Sequence, residues 1–275
     1  MQGKVWFVTG TSSGFGRSIA EEALSRGDRV VATARDPRSV EDLVAQSPDR
    51  VHAARLDLTK PAEIRSAVAS ALERFGQVDV LVNNAGFSIV GAVEETSDED
   101  LRATLEPMFF GAAALTRAFL PHMRERKRGT IVQITSVGGV ITGPGFGAYC
   151  AAKHALEALS EAMASEVAPF GIRVLIVEPG AFRTRLFGPA FRAMPQMPEY
   201  ASTVGPTRAY AAQSDGVQDG DPAKAAKAIA DAVAAGALSL RLPLGADAVK
   251  SIREKLARVG ADVDATEAVA SSTGR

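Results

Sequence analysis

The sequence predicts a doubly wound α/β fold: a parallel sheet of about seven strands with helices on both faces, in one Rossmann-type domain. Three observations carry this. Short apolar runs alternate with helical patterns along most of the chain. The runs are mostly continuous rather than alternating, as in strands buried on both faces. A glycine-rich turn stands between the first apolar run and the first helical stretch, where such sheets open their ligand crevice.

The strand candidates, in order, are Val5–Val8, Val30–Ala34, Val51–Leu56, Val78–Val82, Thr130–Ile134, Val174–Val177 and Leu238–Leu242. A helix over Gly16–Arg26 follows the first. The next, Pro61–Phe75, opens on a proline whose missing N–H costs little in a first turn. Ser97 precedes Asp100 by three residues, a capping-like start. Ala151–Ala168 is rich in Ala, Glu and Leu, and Asp221-Pro222 begins a helix to Ala235 as an N-cap and first-turn pair. Repeated βα units require crossovers and hence a parallel sheet. The proline-bearing stretch Arg185–Gly220 is too long for a simple connection and reads as a substrate lid with short helices of its own. There is no internal repeat. Ser271–Arg275 reads as a frayed end. The 275 residues form one domain, with the lid inside it.

Composition excludes several function classes. A formal charge of -1 leaves no electrostatic case for nucleic acid or an anionic membrane. The single cysteine, Cys150, excludes an internal disulfide and reads as a small packed residue. His52, His122 and His154 lack metal-ligand spacing, so no metal is expected. No apolar run reaches the roughly 18 residues of a spanning helix. The N-terminus enters a strand without a signal-like segment. A soluble, cytoplasmic protein is expected.

The glycine turn reads Thr9-Gly10-Thr11-Ser12-Ser13-Gly14-Phe15-Gly16. Its glycines let the backbone approach a pyrophosphate, and the helix N-terminus that follows offers free N–H groups. The spacing G-x-x-x-G-x-G differs from G-x-G-x-x-G and is weak alone; its place between strand and helix strengthens it. At the end of the second strand, an acid would bind a ribose 2′-hydroxyl and a base a 2′-phosphate. Asp36 keeps NAD(H) open, but it precedes Pro37 and turns away. Arg35 is nearer the strand tip, so NADP(H) is expected ahead of NAD(H).

Tyr149 and Lys153 are four residues apart and share a helix face. An ammonium beside a phenol lowers its pKa from about 10, so the tyrosine can exchange a proton near neutrality while hydride moves. Such a pair alone is common helix decoration. Its company is more telling: Asp57, Asn83-Asn84-Ala85-Gly86, Ser136, Pro179-Gly180 and Thr184 all fall at carboxyl ends of predicted strands.

In this order the motifs resemble the short-chain dehydrogenase/reductase family, over about residues 4–245. They are TGTSSGFG, Asp57, NNAG, Ser136, YCAAK and PGAFRT. The resemblance implies that Tyr149 is the acid/base and that Ser136 and Tyr149 hold the substrate oxygen. Lys153 would hold the nicotinamide ribose and lower the tyrosine pKa. Gly10, Ser12, Ser13, Gly14, Phe15 and Gly16 would cradle the cofactor, and Arg35 its 2′-phosphate. Asp57 and Leu58 would meet the adenine, while Asn83, Ala85 and Gly86 line the cleft. Pro179, Gly180, Phe182 and Thr184 would lie beside the carboxamide. A homodimer or homotetramer and a small carbonyl or alcohol substrate are also implied.

One position departs from the pattern. The family's further catalytic asparagine falls at Met108, and the chain's only asparagines are Asn83 and Asn84. Either Pro107 preserves a helix distortion whose carbonyls keep a proton relay, or the relay is impaired. The second alternative admits an epimerase or dehydratase, or a non-catalytic NADP(H)-binding sensor. Phe87, Ile89, Val90, Ile141, Pro144, Phe146 and the lid's Leu186, Phe187, Phe191, Met194, Met197 and Tyr200 suggest an apolar pocket. Arg183, Arg185, Arg192 and Arg208 read as surface charges or as ligands for an acidic substrate group.

Overall fold

In the computed structural model, residues 3–188, 191–236 and 239–274 are described. The first half of the chain runs β1 Val5–Thr9, α1 Gly14–Ser25, β2 Arg29–Ala34, α2 Glu41–Gln46, β3 Val51–Arg55, α3 Pro61–Phe75, β4 Val80–Asn83, β5 Ile89–Val90, α4 Asp98–Leu105 and α5 Ala112–Glu125. The second half runs β6 Gly129–Ile134, α6 Gly147–Val167, β7 Ile172–Pro179, β8 Arg192–Ala193, α7 Gly205–Gln213, α8 Pro222–Ala235, β9 Arg241–Leu244 and α9 Ala246–Ser271.

Seven strands form one sheet in the order β3-β2-β1-β4-β6-β7-β9, and every pairing is parallel. The chain first builds outward from β1 to β3, then returns to lay β4 on the other side of β1. That reversal opens a crevice at the carboxyl ends of β1 and β4.

Both faces are covered, which is why the strands read as continuous apolar runs. One face sets Phe7, Leu81, Ile131 and Ile176 against Leu115 and Phe119 of α5 and Met163 of α6. The other sets Trp6, Val8, Val132 and Val177 against Ile19 of α1 and Ile229 of α8. The expected caps form. Ser97 Oγ accepts from Asp100 N at 3.1 Å, and Asp221 Oδ1 accepts from Ala223 N at 2.9 Å.

Several boundaries move. α1 begins at Gly14, so the glycine turn itself supplies the first helical residues. α6 begins at Gly147, which puts Tyr149 in its first turn. β9 begins at Arg241, later than the expected Leu238, which lies outside the described residues. α5 and α9 were not expected, and α9 runs up to Ser271, the first residue of the expected frayed end; Arg275 lies outside the described residues. The lid is folded: β8 pairs in parallel with β5, and α7 follows. Its Pro189 and Ala190 lie outside the described residues. Among the described residues, no helix is long and apolar enough to cross a membrane.

Candidate active site

The crevice is floored by the glycine turn. Gly10 and Gly14 have φ of 72° and 58°, conformations that favour glycine. A Cβ on Gly16 would collide with the Gly10 carbonyl and Asn84 Nδ2. The turn is braced from the neighbouring strand. Thr9 Oγ1 accepts from Asn84 N at 2.8 Å and Ala85 N at 2.9 Å, and Asn84 Nδ2 donates to Thr9 O at 2.8 Å. Thr9 and Asn84 were not among the expected site residues; only the register between β1 and β4 gives them this role.

This floor fits a dinucleotide pyrophosphate. Ser13 caps α1 with no side-chain bond, which leaves the first-turn N–H groups free for an anion. Ser12 is exposed beside them. Phe15 meets Phe182 at 5.1 Å between ring centroids. Thr184 Cβ lies 3.3 Å from where a Gly14 Cβ would stand, so the segment after β7 closes over the turn. Gly180 is packed too tightly against Asp247 of α9 to carry a Cβ, and Asp247 accepts from Ala181 N at 2.8 Å. Pro179 ends β7 directly before it.

At the tip of β2, Asp36 accepts from Arg38 N at 3.1 Å and pairs with its guanidinium at 2.8 Å. The bond from the Arg38 side chain holds the Asp36 carboxyl below its ordinary range. Arg35 is exposed and joins no ion pair among the described residues. Asp57 accepts from Thr59 N and Oγ1 at 3.0 and 2.7 Å. Burial works against its ionisation, but these bonds and nearby Lys60 and Arg35 hold its pKa down. Leu58 packs on Gly111, where a Cβ would stand 2.6 Å from its carbonyl oxygen.

Asn83 stands at the end of β4 with its side chain turned to α5, where Nδ2 donates to Thr116 Oγ1 at 2.9 Å. It shares a sheet face with Leu81, since side chains two apart point the same way. Its backbone leads into Asn84, Ala85 and Gly86 at the crevice.

Ser136, Tyr149 and Lys153 come together at the rim of β6 and the first turns of α6. Ser136 Oγ accepts from Gly138 N at 3.0 Å, which orients the hydroxyl, and it lies close enough to the Tyr149 phenol to lower its pKa. Lys153 Nζ lies 5.8 Å from the Tyr149 ring centroid and donates to Ile134 O at 2.9 Å. Burial pushes the Lys153 ammonium down to about 8, opposed by the charge of Glu157 one turn on. Burial also pushes the Tyr149 phenol up to about 12, partly offset by Ser136. In the protein without cofactor, desolvation sets the direction of both shifts, and the lysine ammonium is turned to the Ile134 carbonyl.

Met108 is 1% exposed and packs with Tyr149, Cys150 and Ala152. Its Sδ stands 3.1 Å from where a Gly86 Cβ would be, and Lys153 Nζ 3.8 Å from the same point. The backbone around it, Glu106–Gly111, is a π turn between α4 and α5. Pro107 has no N–H to bond the carbonyl one turn back, so it favours this distortion. Cys150 is buried, and burial raises its thiol to about 11. His154 Nδ1 bonds the Cys150 carbonyl at 2.9 Å, a structural role.

Phe146 stands over the tyrosine, with ring centroids 6.4 Å apart, and meets Phe187 of the lid at 6.3 Å. Phe187 in turn contacts Phe191 and Tyr210. The lid is latched by Glu95, whose carboxylate accepts from Ala92 N, Met197 N and Arg208 Nη2 at 2.6, 2.8 and 2.6 Å. Arg208 is thus neither a surface charge nor free for substrate, because Glu95 and the Met194 carbonyl engage it. Arg183 is engaged by the carbonyls of Gln218 and Asp219.

A family profile described as short chain dehydrogenase matches residues 4–195. A short-chain dehydrogenase from Streptomyces avermitilis is 53% identical, with a TM-score of 0.94 over 99% of this chain and 98% of that one. A short chain dehydrogenase/reductase from Burkholderia phymatum, solved in complex with NAD, is 26% identical, with a TM-score of 0.81 over 92% of each chain. One from Burkholderia cenocepacia, solved with NADP, is 25% identical, with a TM-score of 0.75 over 96% of this chain and 97% of that one. Sheet order, glycine floor and matched motifs agree: the chain belongs to the short-chain dehydrogenase/reductase family.

Proposed function

We propose that this oxidoreductase transfers hydride between NADP(H) and an apolar ketone or the corresponding secondary alcohol. The observation that carries this reading is that the buried Tyr149 and Lys153 stand with the half-buried Ser136 beside the Phe146–Phe187 wall. The bound cofactor supplies or accepts the hydride. Ser136 Oγ and Tyr149 Oη converge on the substrate oxygen, and in reduction Tyr149 gives that oxygen its proton. Lys153, with a pKa near 8, resupplies a proton around neutrality. The aromatic wall excludes water and selects apolar substituents.

The exposed Arg35, beside an Asp36 already committed to Arg38, supports NADP(H) over NAD(H). The floor contacts assigned by this reading fall to Gly10, Ser12, Ser13, Gly14, Phe15 and Gly16. The burial of Met108 favours one competing reading, an NADP(H)-binding sensor whose slow proton resupply prevents turnover. NADPH oxidation followed over ketones of graded chain length separates the two. Oxidation that strengthens with apolar length and is lost in Tyr149→Phe supports the enzyme. NADPH binding with no ketone reduced overturns it.

A further inference from the structure

α9 leaves the body of the protein. Its first turn is seated, with Ala248 buried and Asp247 under the Gly180–Ala181 backbone. From Leu256 to Gly274 every residue is exposed. At 1.5 Å per residue, the stretch to Ser271 is about 24 Å of helix with no tertiary support. Its composition gives it little of its own. Val259, Val263 and Val269 are β-branched, and Gly260, Asp262 and Asp264 are poor helix formers. A helix of this length is marginal alone in water.

Its pattern supplies the missing support. Val249, Ile252, Leu256, Val259, Val263, Thr266 and Ala270 are spaced alternately three and four apart. That is the seam of a two-helix coiled coil. Leu256, Val259 and Val263 are 61%, 41% and 60% exposed, so the seam is open. The charges flanking the seam are segregated. Arg253 and Lys255 flank its first half, and Asp262 and Glu267 its second, with no basic residue from Val259 to Gly274; the one acid among the bases of residues 250–258, Glu254, stands away from the seam, near Lys250. Two copies laid parallel would set base on base and acid on acid. Laid antiparallel, Arg253 and Lys255 of each meet Asp262 and Glu267 of the other.

We propose that α9 is a self-association surface that pairs antiparallel with α9 of a second copy of this chain. The two-fold contact is self-complementary and closed, since each helix offers the same seam and both charge halves. The seam from Leu256 onward includes none of the residues assigned to the site above and does not depend on the substrate assigned there.

The test is the mass of the full chain in solution by light scattering, with Leu256→Asp/Val263→Asp beside the wild type. The expected result is a twofold fall in mass with an unchanged far-ultraviolet signature of the body. A monomeric wild type, or a double variant that keeps the wild-type mass, overturns the proposal. Orientation is read with single cysteines, since Cys150 is buried. Lys250→Cys mixed with Ser271→Cys should cross-link through a short bis-maleimide, and neither should cross-link with itself. Self-linking of Ser271→Cys overturns the antiparallel arrangement.

Discussion

Lys153 and Tyr149 are buried without full charge compensation, and the consequence is measurable in the protein without cofactor. Lys153 falls from its ordinary 10.5 to about 8, so the fold disfavours the ammonium. Below pH 8 this costs about 3 kcal/mol of stability, at 1.36 kcal/mol per pKa unit. Between pH 8 and 10.5 the unfolded chain binds more protons at this site, so stability rises with pH there. Tyr149 has the opposite sign: raised to about 12, it loses stability as pH climbs from 10 to 12. Urea unfolding of wild type and Lys153→Met across pH 7 to 10 should show the lysine's rising contribution only in the wild type. Parallel curves would refute the burial argument. Arg35 carries a second prediction. Removing a charge-assisted bond worth about 1.5–3 kcal/mol means Arg35→Ser should raise the KM for NADPH by roughly 10- to 150-fold. The KM for NADH should barely move, and equal effects on both would return Arg35 to a plain surface residue.

The elements around the site act through close backbone approach. The Gly16–Gly10 contact admits no Cβ, so Gly16→Ala must move the floor. Overpacking of this kind costs about 1–3 kcal/mol, read as a lowered Tm together with weakened NADPH binding. The lid depends on one carboxylate. Glu95→Gln keeps the size but removes the charge that Arg208 and two backbone N–H groups share, so the lid should open more often. Faster tryptic cleavage at Arg192, with a raised substrate KM and an unchanged KM for NADPH, is the expected signature. Parts of this layer were legible in the chain. The glycine turn, the caps at Ser97 and Asp221 and the Tyr149–Lys153 spacing are local, so short-range sterics and hydrogen bonding set them. The Glu95–Arg208 latch joins residues 113 apart, and no periodicity announces such a pair. The π turn lay between: Pro107 marked a distortion, but only the packed helix determined its kind.

At the scale of the molecule, the crevice exists because the chain reverses its direction of strand addition between β3 and β4. α9 is the least supported element, and removing it tests that reading. A chain ending at Lys255 should unfold at the temperature of a dilute, dissociated wild type, because the deleted residues Leu256 to Gly274 are all exposed within the subunit. Only the wild-type Tm should rise with protein concentration, since association stabilises by mass action. The sequence by itself determined the alternation of strands and helices, the doubly wound class and the ordered motifs that name the family, because burial pattern and turn chemistry act over a few residues. Tertiary structure alone decided the side of the sheet that Asn83 faces, the partner of Arg208 and the raised pKa of Tyr149. Each of these depends on which distant groups exclude water from that point, and desolvation is a property of the assembled interior.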